Sequence, residues 1–327
     1  MKIVIPDDYQ DAVRSLACFS SVAAHEVTVF RDTVTGIDEL ARRFGEADCL
    51  VLIRERTRVT AELLERLPNL KLIAQTGRTG GHIDVQACTR RGVVVTSGKG
   101  SPNPPAELTW ALILAALRHL PLEDRRMREG RWQTTLGTGL KGRTLGIYGY
   151  GSIGALVARA GVAFGMRVLA LGREGSAQRA RADGIEVASG KAQLFAESDV
   201  LSLHLKLSPE TRGIVTGADL AAMKPAALFV NTSRDGLVEQ GALAAALKAG
   251  RPGYAAVDVY ETEPVPRDHP LLAMDNVVCA PHLGYVVRDT YELYFGTAFD
   301  QINAFAAGKP VNAVNPEALA KRKMGSE

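Results

Sequence analysis

The sequence predicts an α/β fold built from two doubly wound βαβ domains. Short runs rich in β-branched residues alternate with helix-like segments along most of the chain, which is typical of parallel sheets covered by helices. The alternation restarts at Thr144, after a segment from Ser97 to Pro105 that contains two glycines and three prolines. A length of 327 residues agrees with this organisation, because domains usually span roughly 100–200 residues.

The first series holds five strand candidates separated by four helix candidates. The strands are expected at Lys2–Ile5, Glu26–Phe30, Cys49–Ile53, Lys71–Ala74 and Val93–Thr96. The helices are expected near Asp8–Phe19, Ile37–Gly45, Ala61–Leu67 and Val85–Arg91.

The second series repeats this pattern. Its strands are expected at Leu145–Tyr148, Arg167–Leu171, Val200–Leu205, Ala227–Asn231, Ala255–Val259 and Val277–Cys279. Its helices are expected near Ile153–Phe164, Gln193–Glu197, Gly217–Met223 and Gly241–Lys248. Two apolar helices, Glu107–His119 and Asp289–Ala307, flank the series and could carry the chain between domains. The second domain would then be inserted into the first.

Composition and charge exclude several classes of protein. The formal net charge is +3, which is too even for a general nucleic-acid or acidic-membrane binder. The best apolar run, Leu108 to Leu117, is far shorter than the roughly 20 residues of a membrane helix. The start of the chain reaches Asp7 and Asp8 too soon for a signal peptide. The four cysteines are scattered without metal-ligand spacing, so we expect free thiols, no metal site and a cytoplasmic location.

A glycine-rich turn follows the first strand of the second series. It has the form GxGxxG between an apolar strand and a helix pattern, which is the context of a dinucleotide-binding turn. The first glycine permits the tight turn, the second lets the backbone approach a pyrophosphate, and the third lets helix and strand pack closely. The free N–H groups of the helix start would bind the phosphates. The residues are Gly149, Tyr150, Gly151, Ser152, Ile153 and Gly154.

The acidic residue that normally ends the second strand of such a domain is missing. The chain has Gly172 and Arg173 at that position. An acidic side chain there would accept hydrogen bonds from the adenosine ribose and repel a 2′-phosphate. Its absence, with an arginine beside it, favours NADP(H) among the NAD(P)(H) cofactors. The alternative is that Arg173 points to solvent and Glu174 reaches the ribose.

Further motifs resemble the D-isomer-specific 2-hydroxyacid dehydrogenase family, which includes phosphoglycerate dehydrogenase-like and glyoxylate/hydroxypyruvate reductase-like proteins. They occur in the family order over nearly the whole chain, at residues 140–146, 198–204, 210–213, 229–234, 257–264 and 280–284. The resemblance implies a Rossmann cofactor domain inserted into a flavodoxin-like substrate domain. The NAD(P)-binding domain would span residues 99–287, and the discontinuous substrate domain residues 1–98 plus 288–327.

The resemblance also implies three catalytic residues. Arg234 would bind the substrate carboxylate and polarise the carbonyl, because its planar guanidinium stays charged and can bind two oxygens. His282 would be the general acid in reduction and the general base in oxidation. Glu263 would favour the protonated imidazole and fix its tautomer. Taken singly, each could be an ordinary surface or turn residue.

Four more residues are implied to lie at the cofactor. Asp258 is expected to contact the nicotinamide carboxamide, although an aspartate that caps a turn is the alternative. Thr232 and Ser233 stand beside Arg234 in the same motif. His204 is expected near the cofactor, in a structural role outside the proton path.

The substrate turn of the family corresponds to residues 77–84, where Thr79, Gly80 and Gly81 would bind the substrate carboxylate through backbone N–H groups. The family usually has an Asp-Asn pair where this chain has Gly81 and His82. Arg54 would bind a phosphate or second carboxylate, or else is a solvated arginine. The substrate therefore stays open among glyoxylate, hydroxypyruvate, 3-phosphoglycerate and bulkier 2-keto acids.

The expected partners are a small 2-keto or 2-hydroxy acid and a second copy of the chain. Trp110 and Trp132 flank the region that packs against a second subunit in the family, although Trp110 could instead belong to the core. Glu263 argues against the related formate dehydrogenases, which carry glutamine there. An NAD(P)-sensing, corepressor-like binding protein on the same scaffold remains the alternative, since such proteins can keep all three catalytic residues.

Overall fold

The computed structural model describes residues 1–324 and divides the chain into two compact units. One unit combines Met1–Ser101 with the segment that starts at Val287, and the other spans Pro102–Val286. Each unit contains one parallel β-sheet with helices between its strands. The predicted α/β class with two doubly wound domains is confirmed. The last three residues of the predicted substrate domain, 325–327, lie outside the described residues.

The first unit has a five-stranded parallel sheet with flavodoxin-like order β2-β1-β3-β4-β5. β3 and β4 are buried at every residue, because helices cover a parallel sheet on both faces. The strands are β1 (Lys2–Ile5), β2 (Glu26–Val29), β3 (Cys49–Leu52), β4 (Leu72–Gln75) and β5 (Val94–Ser97). The helices between them are α1 (Ile37–Phe44), α2 (Ala61–Glu65) and α3 (Val85–Arg90).

The helix predicted near Asp8–Phe19 is wrong. The structure has two 3₁₀ segments there, Val13–Ser15 and Ala17–Val22. The carboxylate of Asp8 accepts the backbone N–H groups of Ala12 and Val13 at 3.1 and 3.0 Å, which holds the chain in a local turn. Such side-chain bonds compete with the hydrogen bonds of an α-helix.

The second unit has a seven-stranded parallel sheet in the Rossmann order, β12-β11-β10-β9-β6-β7-β8. The strands are β6 (Thr144–Tyr148), β7 (Arg167–Leu171), β8 (Glu186–Val187), β9 (Val200–Leu203), β10 (Leu228–Asn231), β11 (Tyr254–Val257) and β12 (Val277–Cys279). The helices are α4 (Asn103–Leu117), α5 (Leu120–Arg128), α6 (Ser152–Ala163), α7 (Glu174–Ala182), α8 (Lys191–Glu197), α9 (Gly217–Ala221) and α10 (Ala242–Lys248).

The final segment returns to the first unit. It contains α11 (Arg288–Ala306) and α12 (Glu317–Met324). Between these helices the chain runs antiparallel to β5: the N–H of Val314 donates to the carbonyl of Val95 at 2.8 Å. The buried amide of Asn315 adds bonds to the backbone of Val93 and Val95, at 3.0 and 2.8 Å.

Candidate active site

Six of the residues predicted to act in the second unit lie within three positions of the carboxyl end of a strand of its sheet. The parallel strands bring these ends to one edge, where ligands of open α/β sheets bind. Across the sheet, His282 follows β12, Asp258 follows β11 and Arg234 follows β10. His204 follows β9, Gly149 follows β6 and Arg173 follows β7. The structure thus gathers residues that are up to 133 positions apart in the chain.

The glycine-rich turn has the geometry that a dinucleotide needs. Gly149 has φ +105°, and a Cβ there would lie 2.6 Å from the carbonyl oxygen of His204. A Cβ on Gly151 would meet open space, so the backbone is accessible at the start of α6. A Cβ on Gly154 would collide with the carbonyl oxygen of Gly149, so the third glycine permits close packing. The turn lies between β6 and β9, where the strand order reverses, and fits a pyrophosphate.

The end of β7 is basic, as the sequence predicted. Arg173 is exposed and is the N-cap of α7, while the carboxylate of Glu174 lies 3.4 Å from Nη1 of Arg181. Sequence analysis missed α7, and with it a second arginine at this place. Nη2 of Arg179 donates to the carbonyl of Tyr150 at 3.1 Å, and Oγ of Ser176 donates to the same oxygen at 3.1 Å. The helix after β7 is therefore fastened to the glycine-rich turn.

Glu263 and His282 form a hydrogen-bonded pair. Oε2 of Glu263 lies 2.6 Å from Nδ1 of His282, and Oε1 accepts the backbone N–H of Tyr260 at 3.0 Å. Both carboxylate oxygens are therefore engaged, which fixes the carboxylate. Since a carboxylate accepts hydrogen bonds, Nδ1 carries a proton in this bond, and Glu263 does not engage Nε2. This is the pairing that the sequence predicted.

The backbone of His282 has φ +53°, in the left-handed region that side chains with a Cβ rarely adopt. Asp258 lies under the same turn. Its Oδ1 accepts the N–H of Leu283 at 2.6 Å, and its Oδ2 accepts the N–H of Gly284 at 2.9 Å. Burial raises the pKa of Asp258 to about 6, although these bonds and the charge of His282 oppose the shift. Asp258 therefore caps a turn, and its expected contact with the nicotinamide carboxamide stays a prediction.

Arg234 is half-buried, and its turn is organised by Asn231, a residue that sequence analysis did not single out. The buried Asn231 side chain accepts the N–H of Ser233 at 3.1 Å and donates to the carbonyl of Arg234 at 3.0 Å. Oγ of Ser233 donates to the carbonyl of Leu203 at 2.8 Å, and Oγ1 of Thr232 lies 2.8 Å from Oγ1 of Thr109. Both hydroxyls thus fix the chain beside the arginine.

His204 has a hydrogen bond to Ser202, at 2.9 Å between Nε2 and Oγ. Burial of the ring lowers its pKa to about 4, so the imidazole is neutral near pH 7. A neutral, hydrogen-bonded histidine next to the glycine-rich turn agrees with the predicted structural role.

The first unit holds the predicted substrate residues at the carboxyl ends of β3 and β4. Arg54 has φ +53° and lies half-buried, with its guanidinium carbon 5.7 Å from the ring centre of Tyr294. The N–H of Thr79 donates to Oγ of Ser97 at 3.1 Å, and its own Oγ1 is buried without a hydrogen bond to any described residue. A Cβ on Gly80 would lie 2.9 Å from Oε1 of Glu55, and a Cβ on Gly81 would meet open space.

The turn at Arg54 is held by neutral side chains. Its N–H donates to Oγ1 of Thr76 at 2.9 Å, and its carbonyl accepts Nε2 of Gln75 at 2.9 Å. Oε1 of Gln75 lies 3.0 Å from Nε2 of His82, the residue that replaces the usual asparagine of the family. Because the Gln75 amide nitrogen donates to carbonyls, its oxygen accepts the Nε2 proton of His82.

The two tryptophans differ. Trp110 is buried, and its Nε1 donates to the carbonyl of Val157 at 3.1 Å, so the core interpretation holds for it. Trp132 is 77% exposed, and nearby Leu136 is 95% exposed. Both lie in the segment between α5 and β6, where two large apolar side chains stay in contact with water.

Two other features bear on function. Within residues 1–324, we find no helix long and apolar enough to span a membrane, and no cluster of three His, Cys, Asp or Glu side chains arranged for a metal ion. All four cysteines are free thiols.

Comparisons with known proteins identify the relatives of this chain. A family model described as D-isomer specific 2-hydroxyacid dehydrogenase, NAD binding domain, matches residues 110–284. Glyoxylate reductase of Aeropyrum pernix is 40% identical, over 88% of this chain and 89% of that protein. D-3-phosphoglycerate dehydrogenase of Methanocaldococcus jannaschii is 33% identical, over 99% of this chain but 61% of that protein. The crystal structure of phosphoglycerate oxidoreductase from Vibrio cholerae has a TM-score of 0.92 and 54% identity, covering 94% of this chain and 99% of that one.

Proposed function

Because the chain belongs to the D-isomer specific 2-hydroxyacid dehydrogenase family, we propose that it transfers a hydride between a nicotinamide cofactor and a D-2-hydroxy acid or its 2-keto acid. The observation that carries the proposal is the 2.6 Å pair of Glu263 and His282. It lies on the strand-end edge that also holds the turn of Arg234 and the glycine-rich turn.

In this proposal the Pro102–Val286 unit binds the dinucleotide. The turn shaped by Gly149 and Gly154 would hold the pyrophosphate at the start of α6, where Gly151 leaves the backbone accessible. Thr232, Ser233 and His204 line the same edge of the sheet. The bound nicotinamide supplies the hydride in reduction and accepts it in oxidation. The chain supplies the proton, the charge and the orientation.

Each of the three catalytic residues has one task. Arg234 binds the substrate carboxylate through its guanidinium and polarises the neighbouring carbonyl. His282 gives a proton from Nε2 to the carbonyl oxygen in reduction and takes it from the hydroxyl in oxidation. Glu263 stabilises the imidazolium and keeps the proton of the resting imidazole on Nδ1. General acid–base help of this kind contributes roughly 10²- to 10⁴-fold to a rate.

The other unit, which contains Met1–Ser101, is proposed to bind the organic acid through Gly80, Gly81 and Arg54. The open space beside Gly81 supports this assignment, because a carboxylate can approach the backbone there. The N–H of Thr79 is already donated to Ser97, so Thr79 does not offer it to the acid. Arg54 adds a positive charge suited to a carboxylate or phosphate.

The cofactor is proposed to be NADP(H). Gly172 brings no negative charge to the end of β7, and Arg173 is exposed at the start of α7. We expect Arg173→Ala to lower the ratio of kcat/KM for NADPH to kcat/KM for NADH by about 10-fold or more, as loss of a charged hydrogen bond would. Arg42→Ala, at an exposed arginine on α1 of the other unit that pairs with Glu39 at 3.4 Å, is the matched control and should leave the ratio unchanged. A higher kcat/KM with NADH in the unmodified protein would contradict the preference.

A homodimer is also proposed. The exposed Trp132 and Leu136 support it, because a second copy would remove both side chains from water. Light scattering on protein eluted from a size-exclusion column should give twice the mass of one chain, which is 35.0 kDa. A measured mass of one chain would refute the homodimer.

The test of the activity is the consumption of NADPH and of NADH against glyoxylate, hydroxypyruvate, phosphohydroxypyruvate and phenylpyruvate. Turnover of any member that His282→Gln abolishes would support the dehydrogenase proposal and identify the substrate class. Cofactor binding without turnover of any 2-keto acid would instead favour the sensing protein.

A further inference from the structure

The backbone of His282 is left-handed, and the contacts around it must stabilise this conformation. For a residue with a Cβ, this conformation is unfavourable, so it persists only where other interactions hold it. The glutamate that binds Nδ1 acts on the ring and leaves the backbone of the turn free to relax. Something else must therefore hold the backbone.

The carboxylate of Asp258 is in position to do so. It is 1% exposed, and each oxygen accepts one of the two consecutive N–H groups that follow His282, at 2.6 and 2.9 Å. Hydrogen bonds to a charged acceptor are roughly twice as strong as neutral ones. Asp258 is itself fixed, since its N–H donates to the carbonyl of Asn231 at 3.0 Å. The approach is close: a Cβ on Gly284 would lie 3.3 Å from Oδ2 of Asp258.

The imidazole ring has a second neighbour besides Glu263. The ring of Tyr285 meets it edge to face, with centroids 5.5 Å apart and planes crossing at 75°. Tyr285 is 6% exposed, and a hydrogen bond of 2.8 Å from the N–H of Val286 to the carbonyl of Leu283 closes its turn. A buried aromatic ring in this position restricts rotation of the imidazole about its Cβ–Cγ bond.

We propose that Asp258 and Tyr285 are positioning residues for His282, Asp258 through the backbone of its turn and Tyr285 through the plane of its ring. The inference rests on the proposed function of His282 as proton donor. It assigns to Asp258 a task other than contact with the cofactor, and to Tyr285 a task that the sequence motifs do not include. A displacement of about 1 Å at a reacting group can cost 10²-fold in rate, so both supports should appear in kcat.

The kinetic test separates positioning from cofactor binding. Asp258→Asn replaces one acceptor by a donor that faces a backbone N–H. We expect kcat to fall 10-fold or more, with KM for the cofactor within 3-fold of the original. Asp219→Asn is the matched control, because that carboxylate also accepts a backbone N–H, of Thr216 at 2.8 Å, but at the start of α9. Unchanged kcat with a raised cofactor KM in Asp258→Asn would overturn the proposal.

The tyrosine is tested by a pair of variants. Tyr285→Phe keeps the ring and should keep kcat within about 2-fold, whereas Tyr285→Leu should lower it about 10-fold with little change in KM. Equal kcat in both variants would refute the role of the ring. If Asp258→Asn does not fold, this pair and the next measurement decide.

A spectroscopic measurement makes the inference independent of turnover. Nitrogen-15 NMR of the histidine side chains should show one fixed Nδ1–H tautomer for His282 in the unmodified protein. In Tyr285→Leu and Asp258→Asn, the Nδ1 proton that Glu263 accepts should exchange faster with solvent, because a displaced or rotating ring breaks that hydrogen bond more often. Unchanged exchange of this proton in both variants would contradict positioning. Absent turnover with the expected NMR pattern would reject the proposed function while leaving the geometric role intact.

Discussion

Arg54 and His282 share one backbone conformation, each in a different unit, and are held in it by different means. Each has φ +53° just beyond the end of a parallel strand, β3 in one case and β12 in the other. The turn at Arg54 is held by the neutral side chains of Thr76 and Gln75, and the turn at His282 by the buried carboxylate of Asp258. A neutral hydrogen bond is indifferent to pH near neutrality, whereas a buried carboxylate is not. The turn of His282 thus carries a sensitivity to pH that the turn of Arg54 lacks.

The largest difference should appear in the rate. We expect His282→Gln to lower kcat by roughly 10²- to 10⁴-fold with little change in KM, because the proton donor is removed. Arg54→Gln should instead raise KM for the organic acid roughly 10-fold or more and change kcat little, because a charged contact contributes about 1.5–3 kcal/mol. Steady-state kinetics with the best substrate of the panel measures both. If kcat in His282→Gln stays within a few-fold of the original value, His282 is not the proton donor, and the contrast between the two turns has no functional basis.

The second-largest effect concerns how the free energy of unfolding depends on pH. Burial raises the pKa of Asp258 to about 6 from 3.8, so between these values the folded protein holds a proton that the unfolded chain has lost. The stabilisation is complete below about pH 4 and is lost as the pH rises through 6, by up to about 3 kcal/mol.

Asp258→Asn lacks this titration, whereas other groups titrate in both proteins. The free energy of unfolding of the variant minus that of the original should therefore rise by up to about 3 kcal/mol from pH 4 to 7. Urea denaturation across that range measures the difference. A constant difference would show that Asp258 does not titrate there.

The turn at Arg54, which is held by neutral side chains, should contribute a stability that does not depend on pH. Thr76→Val keeps the shape of the side chain but removes the acceptor for the N–H of Arg54 and the 2.8 Å bond to the carbonyl of Leu52. We expect a loss of about 1–3 kcal/mol in the free energy of unfolding. In the same urea experiments this loss should be equal at pH 4 and pH 7. A loss that changes with pH would remove the contrast between the two turns.

The smallest expected effect is at Gly77, which has φ +71°. Alanine there should cost about 1–2 kcal/mol, and its Cβ would displace Nη1 of Arg54. Gly100→Ala is the matched control, since a Cβ at Gly100 meets nothing within 4 Å. Denaturation gives the two costs, and equal values would mean that the turn at Gly77 relaxes freely.

Much of the fold was predictable because buried parallel strands are short apolar runs between clear breaks. Lys2–Ile5, Arg167–Leu171 and Val277–Cys279 were predicted at their observed bounds. α7 was missed because Glu174–Ala182 is mostly polar and has a glycine at its second position. Alanines are its only larger apolar residues, so the sequence shows no strong apolar face. Periodicity alone does not identify such a helix.

The site was predictable only where a motif names its residues. The sequence placed Glu263 and His282 in motifs, and their hydrogen bond follows from strand order. The bonds of Asp258 to Leu283 and Gly284 join positions 25 and 26 apart, and nothing in either motif indicates that they meet. The left-handed turn and the ring contact of Tyr285 likewise depend on packing, which local sequence does not specify.

The segment that runs antiparallel to β5 affects whether copies of this chain can associate through that strand. A parallel sheet ends in strands whose outer N–H and C=O groups can recruit a strand from another molecule. Residues 312–315 already occupy those groups on β5, and the amide of Asn315 fills the positions that a foreign strand would need. A chain cut before Asn312 would leave this edge open as a template for aggregation. Residues 312–315 thus prevent the sheet from adding a strand of another molecule at β5.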